Sequence, residues 1–303
     1  MNMVVSHWSA NVAALAVYAV AAAAHLLGMR GETTGSGPPR QPHRLARAVA
    51  YQAGLLLALL AVVSPMGYWS YRFIWARNLQ DVVLAIVAPA LIVLGAPWRP
   101  LSRGLRLEGG RLPRPDQRTA GDAADGDAAR RNRSAGWRAW PVAVAVAFCA
   151  IWWAWHAPAL FDAALHSSAV YALEVASYLT VGTLLWLQLV DSPPLRPQLS
   201  PLRRVGLLLG VAASGTVLGL IRVYSSGLAY PAYLGFRHHV LSVISDQQVG
   251  GAVLWVIPLV PFSIVAVALA VGWLSEDESE ATAADFDRLL RHKSAWPSRP
   301  GLR

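Results

Sequence analysis

Seven long apolar stretches, separated by shorter polar gaps, organise this 303-residue chain. They run approximately over 8–28, 45–64, 79–97, 139–156, 169–190, 204–222 and 249–274. A bilayer core of about 30 Å is crossed by roughly 20 apolar residues in a helix, because in lipid only hydrogen bonds within the segment satisfy the backbone. The pattern therefore predicts an all-α fold, a polytopic membrane helix bundle with seven transmembrane helices. The membrane domain is expected over 1–275, with a flexible cytoplasmic loop at about 99–138, and 276–303 is expected to be a cytoplasmic tail. Within the loop, the segment from Gly104 to Gly136 contains GDAADGDAARRNR and has too few large apolar residues to offset its ordering entropy. The tail, with ESEATAADFDRLLRHK, predicts a short amphipathic helix around Ala283 to Arg291.

Charge fixes the expected orientation. Of 26 Lys and Arg residues, 22 fall in every second gap between the apolar stretches or in the tail, and only Arg72, Arg77, Arg222 and Arg237 lie on the other side. The positive-inside rule then places the N-terminus outside and the C-terminus in the cytoplasm, as an odd number of spans requires. Leaving out the ten arginines between Arg99 and Arg138, the count is still 12 against 4. The expected location is a membrane, with a multi-pass chain and the lipid bilayer as its first partner. Met1 to His7 has no Lys or Arg, and the first apolar run is longer than a typical leader core, so an uncleaved span is expected there. Composition agrees, with 55% hydrophobic residues and a mean hydropathy of +0.40. The net charge of +9 sits where loops face anionic headgroups, so no nucleic-acid partner is implied.

Several chemistries are excluded. The one lysine is Lys293 in the tail, so no span carries the Schiff-base lysine that retinal requires. His25 has no histidine at matching depth with which to hold a haem. Cys149, the sole cysteine, lies near the middle of span 4 and reads as a packing residue. No Walker loop, dinucleotide fingerprint or nucleophile elbow is present, and no catalytic residues are expected.

The ionisable residues near the spans collect at their outer ends. Arg77 and Asp81 open span 3, His156 closes span 4, Glu174 lies just inside span 5, Arg222 closes span 6, and Asp246, Gln247 and Gln248 open span 7. His166 and the adjacent pair His238 and His239 belong to loops on the same side. Charge in a membrane is costly unless paired or hydrated, so this shared depth predicts one outward-facing polar cavity. The structural reading pairs Arg77 with Asp81 across one helical turn and gives Glu174 a partner such as Arg222. The functional reading makes His156, Asp81, Glu174 and His166 the metal candidates, with Arg77, Arg222, Asp246, Gln247 and Gln248 as cofactor- or partner-binding candidates. Small residues in span 6, Gly206, Gly210 and Ser214 with Gly215 and Gly219, are expected to let neighbouring backbones approach closely. Pro89, Pro258 and Pro261 are expected to kink their helices.

At these outer-end residues the chain resembles the CtaG-type cytochrome c oxidase assembly factors. The matching segments are SPMGYWSYRFIWARNLQDVVLAIVAPALIVLGAP (64–97), WHAPALFDAALHSSAVYALEVASYL (155–179), and YPAYLGF with SDQQVGGAVLW (230–255). The resemblance implies a non-enzymatic, multi-pass protein of the bacterial inner (plasma) membrane, with oxidase subunits as partners and copper as cargo. The family's span-3 pattern A-H-x-x-Q-H is here Ala76, Arg77, Asn78, Leu79, Gln80 and Asp81, so both histidines are replaced. Val175 stands where a family histidine follows the span-5 glutamate, and His156 alone is in place. Copper, and Cu(I) especially, favours soft or imidazole donors, whereas Asp81 and Glu174 offer hard oxygen. This reads as a divergent member with a lost or remodelled metal site. Three readings follow: copper binding or delivery at the outer cavity, a non-metal scaffold that binds partners, and a solute or ion permease.

Overall fold

The computed structural model describes residues 8–9, 11–31, 43–105, 123–235 and 241–294, and everything below concerns those residues. They form helices α1 (Val12–Gly31), α2 (Arg44–Val63), α3 (Pro65–Ser70), α4 (Ile74–Val82), α5 (Ala88–Leu94), α6 (Trp98–Gly104), α7 (Ala123–Trp155), α8 (Pro158–His166), α9 (Ser168–Leu189), α10 (Pro201–Tyr224) and α11 (Val243–Ser294). A π-turn, Val83–Val87, joins α4 to α5, and a 3-10 turn, Pro231–Gly235, lies between α10 and α11. Among the described residues there is no strand.

Six helical segments are long and apolar enough to cross a membrane, and a seventh appears if α7 from Ala139 and α8, bent by 68° at Ala157, count as one span. The fold class is the expected one: an all-α, multi-pass helix bundle. Two helices outrun the expected bounds. α7 begins at Ala123, inside the stretch expected to be a flexible linker. Its first turns carry Ala123, Ala124, Ala128 and Ala129, the residue type of highest helix propensity. α11 continues from the last span to Ser294, so the short tail helix expected from Ala283 is part of one 52-residue helix.

Span 3 (Ile74–Leu94) is the central helix: 72% of its most apolar window is buried, against 22–33% for the other spans. α9 packs against its π-turn and α5, α2 against α5, and α11 against α4. Two glycines permit this. A methyl group on Gly182 of α9 would lie 2.1 Å from the Ala85 carbonyl oxygen, and one on Gly54 of α2 would lie 2.9 Å from that of Ala88. Pro89 explains the π-turn. Proline has no N–H and its ring crowds the carbonyl four residues back, here Ala85, and widening the preceding turn relieves that contact. The neighbouring Ile86 carbonyl accepts a 2.8 Å hydrogen bond from the Trp186 indole of α9.

The expected small faces of span 6 divide. Gly219 packs tightly on Gly251 and Trp255 of α11, whereas a Cβ at Gly206 or Gly210 would meet nothing within 4 Å. At the other end of the bundle from the polar cluster described next, His25 is buried, packs tilted against Tyr51 with ring centroids 4.4 Å apart, and has its Nδ1 3.2 Å from Gln52 Nε2. Cys149 is half-buried and lines a narrow, mostly apolar crevice between α7, α10 and α11.

Candidate functional site

The first turns of span 3 carry Arg77, Asn78, Gln80 and Asp81, and all four are buried at 0–2% exposure. Such residues persist in an apolar bundle only if other elements supply partners. The Arg77 guanidinium donates through Nη2 to Glu174 Oε2 on α9, and its Nε lies 3.7 Å from Asp81 Oδ1 one turn on. The same guanidinium lies 5.1 Å from the Tyr171 ring centroid and 5.5 Å from that of Phe161, within cation–π range. Gln80 Nε2 donates to the Ala61 carbonyl at 2.6 Å and to the Tyr171 hydroxyl at 2.8 Å, tying span 3 to α2 and α9.

His156 closes the cluster from span 4. Its Nδ1 is 2.7 Å from the Trp152 carbonyl, which can only accept, so Nδ1 carries a proton. Its Nε2 then faces Asp81 Oδ2 at 3.8 Å, too far for a hydrogen bond. The His156 carbonyl has a separate role. At the 68° break the amides of Leu160 and Phe161 both bond to Ala157, which leaves the His156 carbonyl without a helical donor. Arg222 Nη2 at 2.8 Å and the Tyr230 hydroxyl at 3.0 Å fill that place.

Span 7 is tied in through its first turn. Phe73, at the N-cap of α4, provides no side-chain cap, and Asp246 of α11 substitutes for it: its two carboxylate oxygens accept from the amides of Ile74 at 2.8 Å and Trp75 at 3.1 Å. A carboxylate at a helix N-terminus also meets the favourable end of the macrodipole. Gln247 accepts from the Ala229 amide at 2.7 Å and donates to the Gly227 carbonyl at 3.1 Å. Gln248 is half-buried at the next position.

The structure thus brings Arg77, Asp81, Glu174 and His156 together, with Arg222, Asp246 and Gln247 as supports around them. His166 stands apart, exposed at the end of α8 with Nδ1 2.7 Å from the Asp162 carbonyl. His238 and His239 lie outside the described residues. Two expectations change. Glu174 pairs with Arg77 and not with Arg222, which joins span 5 to span 3. The polar groups are enclosed, with His156 at 0%, Glu174 at 1% and Asp81 at 2% exposure, where an open cavity was predicted. Among the described residues, no three His, Cys, Asp or Glu side chains are grouped so as to hold one metal ion.

The cluster is incompletely satisfied. Arg77 Nε and Nη1, Asp81 Oδ2, His156 Nε2, Glu174 Oε1 and the Tyr178 hydroxyl are all buried without a hydrogen-bond partner. Tyr171 and Tyr178 escaped the sequence reading, although the signal was there: Tyr171, Glu174, Tyr178 and Gly182 recur at spacings of three and four and form one buried face of α9. Outside the spans, burial pushes the Tyr230 phenol up to about 12 despite the opposing Arg222, and burial likewise raises Tyr233. Both keep the hydroxyl proton that they donate.

The sequence family described as cytochrome c oxidase caa3 assembly factor (Caa3_CtaG) matches residues 16–276. An uncharacterized protein of Mycobacterium leprae (strain TN) is 23% identical over 256 residues, covering 80% of this chain and 36% of that protein. Uncharacterized proteins of Mycobacterium bovis and Mycobacterium tuberculosis are each 24% identical over 243 residues, with the same 80% and 36% coverage. The chain therefore spans about a third of the length of these curated relatives. No solved structure matches it.

Proposed function

The chain belongs to the cytochrome c oxidase caa3 assembly factor family, and from that premise we propose that it serves oxidase assembly as a non-catalytic membrane protein that binds oxidase subunits, multi-pass in the plasma membrane. The observation that carries this reading is the closed cluster around Arg77. A catalytic centre needs a reacting group within reach of substrate, whereas here every charged side chain of the cluster is enclosed, Arg77 joins span 3 to Glu174 of span 5, and spans 6 and 7 are attached through Arg222 and Asp246. Such a network holds one end of the bundle in a single arrangement, which is what a docking surface for a partner requires. The arginine asymmetry of the sequence supports the reading that this end faces outward.

Copper as cargo draws less support at this cluster. His156 offers one imidazole nitrogen, the nearest carboxylate oxygen is 3.8 Å from it, and the Arg77 guanidinium occupies the space between the two carboxylates. A fixed cation there repels a metal ion that two carboxylates would otherwise attract.

In the host, loss of the protein is expected to lower cytochrome c oxidase activity, and both the wild type and His156→Ala are expected to restore it. Purified protein incubated with Cu(I) and desalted is expected to retain no copper above a buffer control. Stoichiometric copper that disappears in His156→Ala, together with failure of that variant to restore oxidase, would replace the scaffold reading by copper delivery.

A further inference from the structure

We propose that the turn from Gly227 to Gly235 is a lid over the charged cluster, held shut by side-chain hydrogen bonds, and that it opens locally to admit water to Arg77, Asp81, Glu174 and His156. The inference rests on the geometry of this turn and stands without the function proposed above.

The turn is not part of the membrane core. Tyr230 and Tyr233, both at 0% exposure, form with Ile74 and Phe161 a small apolar cluster separate from the large one that runs through the spans. Phe161 is the middle layer: it stacks on Tyr230 at 4.0 Å, meets Tyr233 at 5.9 Å, and presents its ring to the Arg77 guanidinium at 5.5 Å. Pro231 and Leu234 of the turn are exposed, and Tyr230 and Tyr233 lie buried between them and the cluster, against Phe161. On the inner side Trp152 and Tyr178 pack at 5.7 Å as part of the main core. The lid is the route by which water arrives.

Among the described residues, side chains anchor it, and Arg222 also lies 4.9 Å from the Tyr230 ring centroid. Gln247 holds the Ala229 amide and the Gly227 carbonyl, Tyr230 donates to the His156 carbonyl, and Tyr233 donates to the Ser70 carbonyl at 2.7 Å. A small satellite of apolar contacts with this kind of anchoring belongs to the low-stability end of a structure, where local opening is separate from global unfolding. The cluster beneath supplies a reason to open. Unpartnered donors on Arg77 and Tyr178 and unpartnered acceptors on Asp81, Glu174 and His156 lie together. Each such buried group carries an uncompensated desolvation cost that contact with water would relieve.

The test uses the full chain in detergent micelles and a charged, water-soluble thiol reagent. Ser70→Cys, in a Cys149→Ala background, places a near-isosteric thiol at a position of 0% exposure beneath Tyr233. It is expected to label far more slowly than a cysteine at Tyr224, which is 82% exposed. Adding Gln247→Ala, which removes two fastenings, is expected to speed labelling about tenfold or more, and the milder Tyr233→Phe to speed it by less. Native Cys149, followed in chains that retain it, should keep its own rate in both variants. Three results would overturn the lid: fast labelling at position 70 in the parent, no change in either variant, or an equal acceleration at Cys149, which would mean that the whole bundle opens.

Discussion

Arg77→Met is expected to destabilise the protein by about 3–5 kcal/mol, the usual loss when one member of a buried ion pair is removed and the other is left without compensation. The expectation is at the upper end here because one guanidinium serves two carboxylates, Asp81 within its own helix and Glu174 on α9. Removing it also frees the cation–π faces of Phe161 and Tyr171. The desolvation cost belongs to the charges and not to the volume, so a second substitution should reverse much of the damage. Arg77→Met combined with Glu174→Gln is expected to recover a large part of the loss, because the second change removes a stranded carboxylate. Equilibrium unfolding in mixed micelles, followed by tryptophan fluorescence, measures both. A single-variant loss below about 1 kcal/mol would mean that the pair is hydrated and that the enclosed cluster described above is wrong.

Gly182→Ala should rank next. The added methyl would sit 2.1 Å from the Ala85 carbonyl oxygen and 2.8 Å from Pro89 Cγ. Neither partner can yield cheaply. Ala85 lies in the π-turn, whose adjoining carbonyl, Ile86, is held by the Trp186 indole, and Pro89 is fixed by its ring. Spans 3 and 5 must then separate, with an overpacking cost of about 1–3 kcal/mol and a further ~1 kcal/mol if the Trp186 hydrogen bond is lost. Gly54→Ala, whose methyl would lie 2.9 Å from the Ala88 carbonyl oxygen, is the comparison and should cost less. An order reversed between these two glycines, in the same unfolding measurement, would count against the closeness of spans 3 and 5.

The spans were legible because transfer of apolar residues into lipid is a local, additive property of the sequence. The second and fifth, expected at 45–64 and 169–190, emerge as Arg44–Val63 and Ser168–Leu189. The third was legible only in part. Arg77, Asn78, Gln80 and Asp81 depress hydropathy, so the span was expected from 79, whereas the helix starts at Ile74 because neighbours supply the partners that hydropathy does not count. The same holds for the site. That Arg77, Asp81, Glu174 and His156 share a depth could be read from their places in the spans. That Glu174 meets Arg77, and that Asp246 caps a helix 172 residues away in sequence, depends on how helices rotate about their axes, which composition does not specify.

Gly206 and Gly210 carry a different consequence from Gly219, which is locked against α11. A larger side chain at either has room within 4 Å, so Gly210→Leu should destabilise the purified protein by no more than about 0.5 kcal/mol, as surface changes generally do. The isolated molecule is indifferent to what stands at these two positions. A fall in cellular oxidase caused by a bulky residue there, with the unfolding curve unmoved, would register a neighbour that the polypeptide meets only in its native bilayer.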